Sequence, residues 1–377
     1  MAIIAFRWSK VNMKIGISTR GLDQGSYAIS MIILQLTRKI IELAGSKHEI
    51  FLYCNDPQHE EMFTSSAAKH SFELNNRFIW DQIWLPQALK KDRIDIALFM
   101  KGTMPLLLPC RGAVIFHDLG YFDNQLRPYR SFETVYMKAM MFRAAKKACK
   151  VFADSEYTRR DAIRIFDLDP EKTSVCYQNC SPIYQPVRDQ IKRKFIRDYY
   201  DLPAHFMFSP TSLSPRKNIS RILAAFDVVK DNISHDIVIT GGQSWGRNEL
   251  AQYKNTELSK RIHILGTIPY EEMPGLYSLA DFTLFPSLLE GFGLPVLESF
   301  RCDCPILTSD ITSLPEVAGD AAYLVDPYSI DEIATGMIRL GTDFALRQRL
   351  IVKGREQAKK FSWERTAQTI LDKLEVC

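Results

Sequence analysis

A chain of 377 residues, 46% hydrophobic and 24% charged, has the composition of an ordinary globular protein and the length of about two domains. It contains no low-complexity tract and no uncharged apolar run near the ~20 residues needed to span a bilayer, and its net charge of +4 is too small an excess to argue for nucleic acid. The charge is uneven, +6 over residues 1–182 and −2 over the remainder, so the N-terminal half suits an anionic surface or an anionic acceptor.

The run Met1–Phe6 is too short for the apolar stretch of a secretory leader. Residues 1–12 read as a preface, because Met13–Ser18 already has the pattern of a first strand, and Met13 is an alternative start. A polar, glycine-containing loop (Thr19–Ser26) and an apolar helix over about Tyr27–Ala44 follow, the opening of a nucleotide-binding α/β unit, though without Gly-x-Gly-x-x-Gly spacing. Ile94–Met100 and Ala113–Phe116 read as buried parallel strands. The second ends in His117-Asp118, and a histidine at the carboxyl end of a parallel strand faces the cleft of such a sheet, although an isolated one is more often structural. Met137–Lys150 reads as an amphipathic helix with Arg143, Lys146, Lys147 and Lys150 on one face. The plain reading is a solvated face; the sharper one is peripheral contact with an anionic membrane surface. Val151–Ser155 is a further strand, running into a helix over Glu156–Phe166, and Asp167-Leu168-Asp169, followed by Pro170, is a turn rather than a metal motif. The cysteines at 54, 110, 149, 176, 180, 302, 304 and 377 form no Cys-x-x-Cys pair and no zinc-spaced Cys/His cluster, so free thiols in a reducing cytoplasm are expected.

The first domain is expected to span residues 1–182 and the second 183–360, with strands at His205–Ser209, Asp236–Thr240, Arg261–Leu265, Asp281–Phe285, Pro305–Thr308 and Ala321–Val325. In Ser214-Pro215-Arg216-Lys217-Asn218, two cations stand at a helix start, which prefers negative charge, so the pair makes sense if an anion binds there. Solvated surface cations are the commoner explanation of such a pair. Gly241-Gly242, after a strand, lets a nucleotide approach the backbone. The most informative stretch is Ser287–Phe300, directly after the strand at Asp281–Phe285: a turn with Glu290, Gly291, Phe292 and Gly293, then Leu294-Pro295 opening a helix that carries Glu298. Such a turn offers backbone N–H groups to hydroxyls and anions, with a carboxylate at each end.

This gapless string resembles the glutamate-seven-residues-glutamate signature of family 4 retaining glycosyltransferases, and the resemblance covers most of residues 13–376. It implies the GT-B fold, an α/β architecture of two Rossmann-like parallel-sheet domains facing a cleft, with residues 361–377 packing back on the first domain. It implies a retaining hexosyltransferase. Arg216 and Lys217 neutralise the leaving diphosphate, Lys217 matching the family's lysine and Arg216 standing in for an arginine whose usual place is taken by Thr211. Glu290 and the N–H groups of Phe292, Gly293 and Leu294 hold sugar hydroxyls, Glu298 the ribose, and His117 reaches the transferred sugar. Gly25 and Ser26 match the family's first cleft loop, and Gly242 lies beside the base and diphosphate. Leu314–Asp320 also matches the family, without a chemical role. Asp303 stands where the family commonly has glycine.

The pattern around Arg216–Asn218 and Leu314–Gly319 resembles bacterial polysaccharide and lipopolysaccharide mannosyltransferases. The expectation is therefore mannose transfer from GDP-mannose to a glycan or lipid-linked saccharide, with no metal, no cofactor and no nucleic acid. The alternatives are a UDP-sugar donor, a sugar-nucleotide epimerase, or a non-catalytic nucleotide-sugar-binding homologue. A glycosidase would also use paired carboxylates, but the cations beside the glutamates have no task in hydrolysis, and the epimerase is the closer rival.

Overall fold

The computed structural model describes residues 12–22, 27–63, 66–74, 76–123, 131–211, 214–241 and 256–377. The expectations for Gly25, Ser26 and Gly242 fall outside these residues. Two sheets organise the chain, and every paired strand is parallel.

The first sheet comprises β1 (Lys14–Ser18), β2 (Glu49–Cys54), β3 (Ala68–Ser71), β4 (Ile96–Phe99), β5 (Arg111–Phe116), β6 (Lys150–Ala153) and β7 (Thr173–Val175), in the order β3-β2-β1-β4-β5-β6-β7. The second comprises β8 (Phe206–Pro210), β9 (Asp236–Thr240), β10 (Ile262–Gly266), β11 (Phe282–Phe285), β12 (Ile306–Ser309) and β13 (Tyr323–Val325), in the order β10-β9-β8-β11-β12-β13. Both reverse direction of travel beside their first strand, between β1 and β4 and between β8 and β11. That is where the crevice of a doubly wound sheet opens. The central strands are buried on both faces, as Val151-Phe152-Ala153 and Phe282–Phe285 show, because helices cover each side.

The helix Trp363–Glu375 belongs to the first domain's core. Trp363, Ala367, Ile370, Leu371 and Leu374 pack with Ile33, Leu36 and Ile40 of the helix Tyr27–Ala44. This return brings Cys377 against Cys149, and the two form a disulfide across 228 residues of chain. The expectation of free thiols is corrected at this pair; no local motif could reveal it, because only the returning helix makes the partners neighbours. The other six cysteines are free.

The basic face expected over 137–150 is also corrected. The helix spans Ser131–Lys147, and Lys150 already belongs to β6. Arg143 donates to the carbonyls of Pro105 and Leu106, Lys146 to Asp167, and Lys150 to the carbonyl of Glu171. Arg143, Lys146 and Lys150 thus each serve a contact within the chain. No helix among the described residues is long and apolar enough to cross a membrane. Asp303, at the position where glycine was expected, takes a left-handed φ of 58°, a conformation Asp tolerates better than most residues, and Arg355 grips its carboxylate at 2.6 and 2.8 Å.

Candidate active site

The carboxyl ends of the two sheets border a cavity of about 690 Å³. The second domain supplies Thr211, Arg216, Lys217, Gly241, Glu290, the turn Gly291–Pro295 and Glu298; the first supplies His117, Asp118, Asp154 and Gln178. Every described candidate from the sequence therefore lines a single cavity, including Phe292, Gly293 and Leu294.

Two loops that follow adjacent strands build its charged centre. After β8, Pro215–Lys217 makes one turn of 3-10 helix, and Asn218 turns the chain at φ 65° into the helix Ile219–Val229. Asn218 fixes that corner by donating Nδ2–H to the carbonyls of Pro286 (3.0 Å) and Pro327 (2.7 Å). After β11, Ser287 and Leu288 bond back to the Arg216 carbonyl, through Oγ at 2.9 Å and the backbone N–H at 2.7 Å. This stitching brings Lys217 Nζ to 2.6 Å from Glu290 Oε1, which also accepts from Ser287 Oγ at 2.6 Å. Arg216 Nη1 lies 3.8 Å from Glu290 Oε2 and 3.6 Å from Asp118 Oδ2. The two cations at the helix start thus have an internal counterion.

Burial alone would push the Glu290 carboxyl up, but Lys217 and Arg216 outweigh it and hold it below the ordinary carboxylate range. Burial pulls Lys217 below the usual lysine value, with Glu290 opposing the shift. Lys217 Nζ also stands 4.8 Å over the Phe285 ring, which fixes its direction.

Glu298 sits further along the same turn and helix. Burial pushes its carboxyl up to about 7, against the bonds from Tyr277 and Tyr184 that favour the anion. The Tyr277 hydroxyl donates to its Oε2 at 2.6 Å. Neither tyrosine was singled out from the sequence, since both lie far from the motif.

Gly293, at φ 95°, starts the helix Leu294–Arg301 and needs glycine for that reason. Gly291 needs it for another. A Cβ there would overlap the carbonyl oxygen of His117 in the facing domain. The carbonyl of Gly291 itself accepts from Ser155 Oγ at 2.6 Å and Thr158 Oγ1 at 3.0 Å across the domain boundary.

Glu316, in the matching stretch that carried no role, joins the same boundary. Its carboxylate accepts from the N–H of Glu156 (2.8 Å) and of Tyr157 (3.2 Å), the open N-terminus of the helix Glu156–Phe166, and from the Tyr177 hydroxyl at 2.7 Å.

His117 lines the cavity with both ring nitrogens engaged inside the chain. Nε2–H donates to the Met100 carbonyl at 2.6 Å, and Nδ1 lies 2.7 Å from Asp154 Oδ2, which Gln178 also contacts. Burial works against the imidazolium, but the Asp154 charge and these two bonds prevail and raise His117 above its ordinary value. Asp154 and Gln178 were missed; the signal available was a polar pair, Asp154-Ser155, at the carboxyl end of an apolar strand.

Two facing doubly wound domains, with paired cations set against a carboxylate at the switch point of one of them, define a GT-B glycosyltransferase. The chain belongs to the family described as glycosyl transferases group 1, which matches residues 200–357. The Escherichia coli O-antigen chain mannosyltransferase B is 30% identical over 265 residues, 69% of this chain and 69% of that protein. The serotype-specific mannosyltransferase WbdA of E. coli is 27% identical over 273 residues, 70% of this chain but 33% of that longer protein. Among solved structures, Anabaena Alr3699/HepE in complex with UDP and glucose aligns with a TM-score of 0.73 at 14% identity, over 97% of this chain and 100% of that one. WaaG, a glycosyltransferase of lipopolysaccharide biosynthesis, aligns with a TM-score of 0.70 at 15% identity, over 95% and 98%. The protein is therefore an enzyme of glycosyl transfer.

Proposed function

We propose that this glycosyltransferase moves mannose from GDP-mannose to a glycan or lipid-linked saccharide, with retention at the anomeric carbon and without a metal, as a family 4 enzyme. The observation that carries the reading is the Glu290–Lys217–Arg216 arrangement at the cleft. The relatives named as O-antigen mannosyltransferases support the sugar and the acceptor class.

Charge develops in two places during transfer: positive on the anomeric carbon, negative on the departing diphosphate. Fixed cations placed at that diphosphate lower the barrier. Donor binding exchanges partners. The diphosphate draws Lys217 and Arg216 away from Glu290, and Glu290 then accepts sugar hydroxyls. The N–H groups of Phe292, Gly293 and Leu294, on the turn and at the first position of the helix Leu294–Arg301, serve the same hydroxyls. Glu298, as its anion, accepts the ribose hydroxyls. His117 meets the sugar by exchanging its Met100 carbonyl partner for a sugar hydroxyl, with Asp154 holding the ring in place.

A UDP-sugar donor is the second reading, favoured by the structural neighbour that holds UDP and glucose. A thermal-shift series with GDP-mannose, GDP, UDP-glucose and UDP decides between them. A donor at a hundred times its Kd stabilises by ~2.7 kcal/mol. GDP-mannose is expected to give the largest shift; a response confined to uridine nucleotides sinks the guanosine assignment. No response to any nucleotide sugar removes the function.

A further inference from the structure

The edge of the second sheet opposite the cleft holds a cluster that sugar transfer does not use. His205, His235 and Asp281 each immediately precede a strand, β8, β9 and β11, which lie side by side in the order β9-β8-β11. Asp281 Oδ2 is 3.1 Å from His205 Nδ1 and 3.5 Å from His235 Nε2, and one ligand atom from each residue lies within 4.8 Å of the others. Neighbouring ligands of a tetrahedral ion with bonds of 2.0–2.1 Å stand about 3.3 Å apart. The two distances from Asp281 have that spacing, and the third pair lies within 4.8 Å.

A second observation is independent of the spacing. His235 is 5% exposed, and neither of its ring nitrogens has a hydrogen-bond partner. Buried polar atoms in native proteins are almost always satisfied, so such a ring calls for a ligand. His205 is the open side of the cluster, its side chain 62% exposed, which leaves a route in and room for a water as fourth ligand. The nearest guanidiniums are committed elsewhere: Arg261 to the carbonyls of Lys230, Ile233 and His235, and Arg347 to those of Leu340 and Gly341.

We propose that His205, His235 and Asp281 bind one transition-metal dication of the zinc class. Two imidazoles and one carboxylate suit such an ion, whereas calcium and magnesium prefer oxygen ligands. The site lies a strand length, about 17 Å, from the cleft. Its ion would tie together the entries of β8 and β11, the strands that deliver Lys217 and Glu290, and take no part in transfer.

The test uses the full chain stripped with a chelator and titrated with Co2+, whose visible absorbance reports tetrahedral binding, followed by competition with Zn2+. One equivalent of Co2+ is expected in the wild type. His205→Ala, at an exposed position that does not threaten folding, is expected to weaken binding by about tenfold or more. His235→Ala and Asp281→Asn are expected to remove it. His263→Gln is the control, because His263 pairs with Asp236 at 2.8 Å on neighbouring strands, and it is expected to bind like wild type. Zn2+ should raise the melting temperature of the wild type by more than that of His205→Ala, and leave that of His235→Ala unchanged. Failure of the wild type to take up Co2+ overturns the proposal, as does wild-type affinity in both His205→Ala and His235→Ala.

Discussion

The two walls of the cleft use charge in opposite ways. On the second domain's wall, Arg216, Lys217 and Glu290 pair with one another at the cavity surface, so an anion and a set of hydroxyls can replace each partner in turn. On the first domain's wall, His117 is bonded to Asp154 and Met100, and Asp154 also to Gln178, so the charge is held within the domain. In the proposed mechanism the second domain's wall exchanges both members of its ion pair with the donor, whereas the first domain's wall keeps His117 braced by Asp154 and gives up only the Met100 carbonyl. The difference follows from where polar groups sit: loops after adjacent strands can face each other across a gap, whereas a histidine between two strands meets only its neighbours.

Removing a cation from the exchanging wall should have the largest effect. Lys217→Ala is expected to lower kcat by about 10²–10³-fold, because a fixed donor at the leaving group acts in the transition state. Donor affinity should fall as well. Asp154→Asn, on the braced wall, should leave donor affinity near wild type while altering turnover. Steady-state kinetics and donor titration of the two variants would erase the distinction between the walls if they lost affinity equally.

Gly291→Ala comes next. The added methyl would displace the His117 carbonyl and shift one wall against the other, and a misplacement near 1 Å can cost about 10²-fold in rate. The contacts proposed for the nucleotide, Arg216, Lys217 and Glu298, are on the second domain, so nucleotide affinity should remain. Equal kcat in variant and wild type would mean the observed domain contact is not the one used in transfer.

Glu298 sharpens the comparison through pH. Its carboxyl holds a proton to about 7 in the fold, whereas an unfolded chain loses it in the ordinary carboxylate range. The fold therefore gains from this group at low pH, and that contribution is lost as pH rises through about 7. Binding has the opposite sign, since ribose hydroxyls donate to the anion. Donor affinity should rise about tenfold between pH 6 and pH 8 if only the ionised form binds. A nucleotide sugar is the right probe, because its substituted diphosphate does not titrate there. The rise should disappear in Glu298→Gln; a slope that persists in that variant assigns it to another group.

Much of this was legible in the sequence, and the illegible parts share a cause. The buried runs of β4, β5, β6 and the second sheet announce themselves as short apolar stretches bounded by turns. Residues Ala68–Ser71 of β3 do not, because an edge strand of four residues with an exposed or half-buried pattern carries no periodicity. Glu290, Lys217 and Glu298 were readable because each stands in a local string with its own turn chemistry. Their relations were not: Lys217 meets Glu290 only because β8 neighbours β11 at the switch point. Asp154 beside His117, Tyr277 beside Glu298 and Cys377 beside Cys149 are likewise products of topology. Residue type and spacing report what a group can do, while the order of strands decides whom it meets.

The smallest expected effect concerns the join between the walls. Glu316 reaches from the second domain to the open N-terminus of the helix Glu156–Phe166 and to Tyr177, so one carboxylate serves three donors of the first domain. A negative charge at a helix N-terminus contributes about 0.3–1 kcal/mol. Glu316→Gln keeps an acceptor but loses the charge, and should shift the balance toward separated domains by roughly fivefold at most. The variant should therefore show unchanged donor affinity, a modest fall in kcat/KM, and a larger radius of gyration by small-angle scattering. Added donor and acceptor should restore the compact form, since ligands that bridge both walls favour it. Loss of donor affinity in Glu316→Gln would show instead that this residue supports the nucleotide site itself, and that the two walls are not separable in the way their charges suggest.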